Sequence, residues 1–259
     1  MEIFSKEIKY VNANNTGIVF TQTNGFVLNK PTGIDTLSVD LSQAQGIRQI
    51  GTTIQSARIQ PRPIILSGWL IGNDRVANKD LLVSVIRPDI DAKFYVGDYF
   101  LTVRPSATPT VEAKRHFPQF QASFLAAYPF WENKNKITVR NITGSVTVTN
   151  SGQVDVPFKL TLRASGQVEY PELRNAAGTE YILINKSMVA GEVITVEITH
   201  DRTYVNSTVD GECRGALDIS SRLNRIRTGT NQFLLSSDYM PGNLTADIEY
   251  ADELLGVTL

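Results

Sequence analysis

The side chains best suited to proton transfer or metal binding are few and scattered in this sequence. It holds two histidines, His116 and His200, and one cysteine, Cys213. Neither histidine has a Cys or a second His near it, and His200-Asp201 is not a ligand spacing. A zinc centre needs three or four ligands. A lone cysteine can form no intramolecular disulfide, so Cys213 reads as a small buried apolar side chain. There is no glycine-rich phosphate loop, Gly-x-Ser-x-Gly elbow, His-Glu-x-x-His helix or acidic calcium loop. Carboxylate pairs of the kind that cleave glycosides do not stand out, because Asp and Glu fall on what read as the wet faces of strands. The reading is of a protein that is not an enzyme, with no catalytic residue, no metal site and no cofactor. Two groups are left for binding. Arg222, Arg225 and Arg227 form the densest basic stretch, and Tyr204 and Tyr239 carry ring faces able to meet a partner or a sugar.

The elements that hold these residues are mostly strands. Ile194, Val196 and Ile198 alternate with Thr195, Glu197 and Thr199. Phe158, Leu160 and Leu162 alternate with polar residues, as do Leu244, Ala246, Ile248 and Tyr250, and Val146 and Val148. A period of two suits a sheet with one buried and one wet face. Asn24-Gly25, Thr143-Gly144, Ser151-Gly152, Ala190-Gly191, Asp210-Gly211 and Pro241-Gly242-Asn243 supply the turns between such runs. Within residues 73–87 the period changes. Leu81/Val85 and Leu82/Ile86 stand four apart, predicting one helix capped by Asn73, Asp74 or Asn78 and ended by Pro88. Aromatic residues cluster up to Trp131, and Glu132-Asn133-Lys134-Asn135-Lys136 then reads as a link. The expected architecture is mainly β. An α+β domain over residues 1–132 carries a sheet or sandwich with one helix, and a jelly-roll-like β-sandwich follows over residues 133–259. Trp69, Phe130 and Trp131 are expected to mark the structural junction.

Charge excludes a nucleic-acid binder that works through phosphate neutralisation. The chain has 25 basic and 26 acidic residues, a net of −1. Residues 1–132 hold 13 basic and 11 acidic side chains, and residues 133–259 hold 12 and 15, so neither half is polybasic. The first residues, Met1-Glu2-Ile3-Phe4-Ser5-Lys6, do not read as a secretion signal. With no long apolar run, the expectation is synthesis in a host cytoplasm and no membrane contact.

The order of features resembles a known family. An apolar strand over Arg62–Gly72 leads to the helix with Lys79-Asp80-Leu81-Leu82, then to strands near Phe94–Tyr99 and Phe117–Phe124, and to the aromatic segment Tyr128-Pro129-Phe130-Trp131-Glu132. This is similar to the N-terminal domain of siphophage distal tail proteins, the hub components of the tail tip and baseplate. Asn150–Pro157, Gly191–Val196, Tyr204–Gly211 and Leu234–Asn243 resemble the galectin-like C-terminal sandwich of the same family. The resemblance implies a structural virion protein. Six N-terminal domains would form a homohexameric ring on the tail tube protein, with edge strands pairing between subunits. The sandwiches would carry tail-tip, baseplate and receptor-binding proteins, and DNA would pass through the channel without specific binding. The alternative from a different class is a carbohydrate-binding module that assists adhesion to the host wall.

Overall fold

The structure is a computed structural model and describes residues 5–114 and 116–259. The chain divides into two compact units, Met1–Lys134 with Leu254–Leu259, and Asn135–Glu253. The first changeover falls two residues beyond the expected boundary at residue 132, inside the expected link. The expected second domain loses its last residues to the first, because Val257 is apolar and buried in the core of the first unit, with its N–H directed at the Ile34 carbonyl.

In the first unit the strands are β1 (Ile8–Asn12), β2 (Gly17–Val19), β3 (Phe26–Leu28), β4 (Val39–Ala44), β5 (Thr53–Ile59) and β6 (Arg62–Leu70). Helix α1 (Arg75–Val85) follows, then β7 (Ala92–Val96), β8 (Tyr99–Pro105), β9 (Thr110–Glu112), β10 (Gln119–Ala126) and β11 (Trp131–Asn133). One curled sheet runs β2-β1-β7-β8-β10-β6-β3. Its inner face closes on a single core that includes Tyr10, Ile64, Leu66, Phe94, Phe120 and Phe124. Aromatic rings meet there at 5.3 Å (Tyr10 and Phe124) and 5.7 Å (Phe94 and Phe124). Gly68 has to be glycine, because a Cβ there would run into the Val27 carbonyl where β3 approaches β6.

The helix lies where the sequence places it but is turned differently. Leu82, Val85 and Ile86 are buried, whereas Leu81 is 38% exposed. Asp74 occupies the N-cap position without a side-chain cap, and Asn78 lies inside the helix and donates to the Asn24 carbonyl at 3.3 Å. The other end is capped from outside. Buried Asn12 donates to the Val85 carbonyl at 3.1 Å, and its Oδ1 accepts the N–H groups of Asn14 and Thr16.

The strongest polar node of the first unit is Arg62, 2% exposed at the start of β6. Its Nε donates to the Pro129 carbonyl at 2.7 Å. One terminal nitrogen donates to the carbonyls of Gly33, Ile34 and Thr36 at 2.8, 2.9 and 3.1 Å, and the other to the Leu255 carbonyl. Buried Trp131 adds an Nε1–H bond to the Ile34 carbonyl at 3.0 Å and lies 6.0 Å from the guanidinium. Burial pulls the Arg62 pKa down, and nearby Asp35 opposes that. Gly33 adopts φ +81°, and a side chain there would collide with the Pro63 carbonyl. Arg62 thus ties three distant stretches, residues 33–36, 129 and 255, through backbone carbonyls that are buried or partly buried.

In the second unit the strands are β12 (Ile137–Ile142), β13 (Ser145–Asn150), β14 (Phe158–Ala164), β15 (Val168–Glu169), β16 (Glu172–Asn175), β17 (Tyr181–Leu183), β18 (Ser187–Met188) and β19 (Val193–Ile198). Then come β20 (Thr203–Ser207), β21 (Gly211–Glu212), β22 (Gly229–Ser236) and β23 (Leu244–Tyr250). The sheets run β12-β23-β14-β19-β20-β21 and β13-β22-β16-β17, and share one core. The inward residues are those the alternation picks out: Ile194, Val196 and Ile198; Phe158, Leu160 and Leu162; Leu244, Ala246, Ile248 and Tyr250. In β13, Val148 is buried and Val146 only partly so. This is a β-sandwich.

Replacing Arg62 with Met should lower the stability of the first unit by on the order of 2–4 kcal/mol, since several buried carbonyls lose a donor. Deleting Leu254–Leu259 should act on the same unit. Denaturant unfolding followed by the fluorescence of buried Trp131 checks both, and a wild-type midpoint in either variant would contradict the role given to Arg62.

Candidate assembly interface

Among the described residues, the two strands β4 and β5 pair only with each other. Every residue of β5 is exposed, and so is every residue of β4 except half-buried Ala44. Their register is Val39 with Ile59, Asp40 with Arg58, Leu41 with Ala57 and Ser42 with Ser56; it then shifts, so that Gln43 meets Ile54 and Ala44 meets Thr53. Side chains alternate across a strand. With the register shift, one face of this ribbon carries Val39, Leu41, Ile54, Ala57 and Ile59 together with Gln43, and the other Asp40, Ser42, Ala44, Thr53, Ser56 and Arg58. Exposure of Val39, Leu41, Ile54 and Ile59 is 42–57%, and Ile47 and Ile50 beyond the strand ends are fully exposed. The ribbon is amphipathic, and its apolar side faces water.

A second apolar surface lies on the outer face of β6 and β10. These strands alternate strictly. Arg62, Ile64, Leu66, Gly68 and Leu70 point inward, and Pro63, Ile65, Ser67 and Trp69 outward. On β10, Leu125, Ser123, Gln121 and Gln119 lie opposite those outward positions in turn. Ile65, Trp69 and Leu125 are 40, 37 and 45% exposed. Arg104 on β8, paired with Leu125 of β10, bonds Asp91 at 2.8 Å.

The residues singled out in the sequence are divided by this geometry. Trp131 is wholly buried, and Phe130 is half-buried with its ring 5.2 Å from that of Tyr128. Trp69, expected beside them, points the other way. The run Ile64–Ile71 is apolar at nearly every position, which conceals the parity that puts Trp69 outside. In the second unit, Arg225 contacts His200 Nδ1 at 3.3 Å, and His200 Nε2 lies 3.1 Å from buried Glu253. Arg227 is bonded to Glu180 at 2.5 Å. Arg222 is exposed, with its backbone N–H on the Tyr181 carbonyl. The basic stretch is thus largely occupied in holding its own loop. Tyr204 is exposed on β20, but the Arg202 guanidinium stands 5.5 Å over its ring. Tyr239 is exposed in the segment before β23. His116 is exposed in the first unit. The ribbon residues escaped the sequence reading. Their signal is the alternation Val39-Asp40-Leu41-Ser42 and the same pattern at Ala57-Arg58-Ile59.

The densest ionisable cluster surrounds Glu192, 2% exposed. Lys186 bridges Glu192 and Asp210, Ser207 donates to Glu192 Oε1, and the Val189 N–H reaches Oε2 at 3.0 Å. Burial alone would raise the Glu192 pKa, but the Lys186 and Ser207 bonds hold it below the ordinary range. Burial pushes the neighbouring Cys213 thiol up. Both carboxylate oxygens are engaged, so the cluster works as a brace. Among the described residues, no three His, Cys, Asp or Glu side chains gather closely enough to hold a metal ion.

Residues 151–252 match the family described as the siphovirus-type tail component, C-terminal domain. The match lies within the second unit, and the resemblance to siphophage distal tail proteins read from the sequence is borne out. The whole chain is similar in fold to the crystal structure of Dit (gp 19.1) of phage SPP1, titled a paradigm of hub adsorption apparatus in phages infecting Gram-positive hosts. The TM-score is 0.78 at 13% identity, over 95% of this chain and 98% of that one. A chain of the phage P2 baseplate in its activated conformation with Ca is also similar, at a TM-score of 0.52 and 11% identity, over 98% of this chain and 100% of that one. No curated protein sequence matches.

A carboxylate held below its ordinary pKa stabilises the fold above the unfolded value, about 4.3, and loses that contribution as pH falls through the folded value. The second unit should therefore lose stability on acidification below about pH 4.3. Glu192→Gln should cost roughly 1–3 kcal/mol at neutral pH and flatten that acid slope. Urea midpoints of both proteins between neutral and acid pH test this; parallel curves would refute it.

Proposed function

We propose that this protein is a structural hub subunit of a siphophage tail tip, made in the host cytoplasm and incorporated in the virion. Six copies close into a ring at the distal end of the tail tube. The first unit forms the ring and meets the tube protein, and the sandwich carries tip, baseplate and receptor-binding proteins. Support comes from the family of the second unit and from the fold shared with the SPP1 hub protein. The observation that carries self-assembly is the β4–β5 ribbon, whose largely apolar face is left exposed by the described residues. Two-stranded ribbons are marginal alone, and free strand edges invite pairing. A net charge of −1 suits a channel that lets DNA through without holding it. The sugar-binding alternative gains nothing from Tyr204, since Arg202 occupies the ring face on which a sugar would stack.

Native mass spectrometry and electron microscopy of the full chain test the reading. The expected species is a closed ring of six times 28.6 kDa, appearing at high protein concentration. A chain that stays monomeric at its highest soluble concentration, with and without tube protein, would overturn it.

A further inference from the structure

We infer that the free edge of β13, in the second unit, is a docking site for an extended segment of another tail protein, which joins the sheet as its next strand. The inference rests on the hub reading for the source of that segment. Its chemistry rests on the sheet β13-β22-β16-β17 alone.

Antiparallel pairing turns the backbone groups of successive residues alternately toward the partner strand and away from it. Ser145 lies opposite Leu234, Thr147 opposite Gln232 and Thr149 opposite Thr230, and the Leu235 N–H bonds the Gly144 carbonyl at 2.8 Å. Gly144, Val146, Val148 and Asn150 therefore bond β22. Ser145, Thr147 and Thr149 turn their N–H and C=O groups to the open side, and all three residues are exposed. The Thr149 carbonyl accepts the Tyr250 hydroxyl at 2.6 Å. Among the described residues, the remaining outward groups have no protein partner.

The other edges of the sandwich are sealed or blunted. On β17 the Tyr181 carbonyl accepts the N–H groups of Arg222 and Leu223, the Leu183 carbonyl accepts that of Asp218, and the Leu183 N–H reaches Ser221 Oγ at 3.1 Å. Strand β12 has a register shift, Asn141 at φ +55° and the charge of Arg140. Strand β21 has only two residues. Such devices keep edges from pairing. Strand β13 has none of them. Its six residues keep one register, and residues 141–154 contain neither a charge nor a proline.

The edge also specifies its occupant. An added strand sets alternate side chains beside Val146 and Val148, and the others beside Ser145, Thr147 and Thr149. Val146 is only partly buried and packs at the margin of the core, so the inward positions call for apolar residues. The outward positions call for small uncharged ones. The partner is thus an uncharged segment alternating apolar and hydroxyl side chains. A second copy would have to meet β13 by the same edge across a two-fold axis, which neighbours in a head-to-tail ring lack.

The probe is a synthetic peptide of alternating valine and threonine with a lysine at each end, added to the full chain and followed by site-resolved amide hydrogen exchange. Without peptide, the amides of Ser145, Thr147 and Thr149 should exchange fast, and those of Val146 and Val148 slowly. With peptide, the first three should slow and the other two stay unchanged. Thr147→Pro removes one outward donor and leaves every bond to β22. It should weaken peptide binding about tenfold, the worth of one hydrogen bond, at an unchanged unfolding midpoint. The same peptide N-methylated along its pairing edge should not bind, and it serves where the proline variant fails to fold. No protection at millimolar peptide, equal protection by the N-methylated peptide, or protection confined to other segments overturns the inference. Amides of Ser145, Thr147 and Thr149 already protected in a self-associated, peptide-free chain overturn the choice of partner. None of these outcomes depends on ring formation, so the hub reading stands or falls separately on the mass of the assembly.

Discussion

A buried guanidinium with backbone acceptors organises the first unit. Arg62 has no carboxylate bonded to it; its donors go to carbonyls of Pro129, Gly33, Ile34, Thr36 and Leu255. Arginine suits this task because its planar fork offers five fixed donors and keeps its charge when desolvated, whereas lysine offers one compact centre. The consequence is topological. Residues 33–36 precede the ribbon, Arg62 follows it, and both are locked to the same core. The ribbon between them is therefore anchored at its two roots while its length stays clear of that core. A rigid base under a projecting apolar element is what an assembly contact needs, since ordering the element then costs less on association.

The two units use the same alternation to different ends. In the second, the wet faces carry the paired charges expected of a sandwich surface. Lys136 meets Glu249 and Arg163 meets Asp247 at 2.8 and 2.7 Å. In the first, the outer face of β6 and β10 breaks that pattern with Ile65, Trp69 and Leu125. Chains normally break such patterns where function asks for it, and contiguous exposed apolar surface marks interaction sites.

Much of this was legible in the sequence. Period-two runs such as Ile194–Ile198 and Leu244–Tyr250 stated both the strand and its inner face, because one side of each is wet. The helix was legible in position but not in rotation. Leu81 and Leu82 are adjacent, and only packing chooses Leu82. Trp69 and Trp131 look alike in a linear reading, since a strand with apolar residues on both its buried and its exposed face shows no alternation. The Leu254–Leu259 return was hidden for another reason. Its anchor is a backbone carbonyl, at Leu255, bonded to Arg62, and carbonyls have no sequence signature.

The ribbon was the least legible element and is the most telling one. It alternates in sequence over Val39–Ser42 and Ala57–Ile59, on either side of a register shift, yet it contributes nothing to either core. An element that obeys the rules of a half-buried strand while lying entirely in water has its burying surface elsewhere. Left open, such an edge is an aggregation hazard, which chains blunt with charge, proline or a bulge. This ribbon has a register shift between Ser42 and Gln43, Pro61 just past its end and charge on one face only. Those devices restrain open-ended stacking and leave the apolar face available.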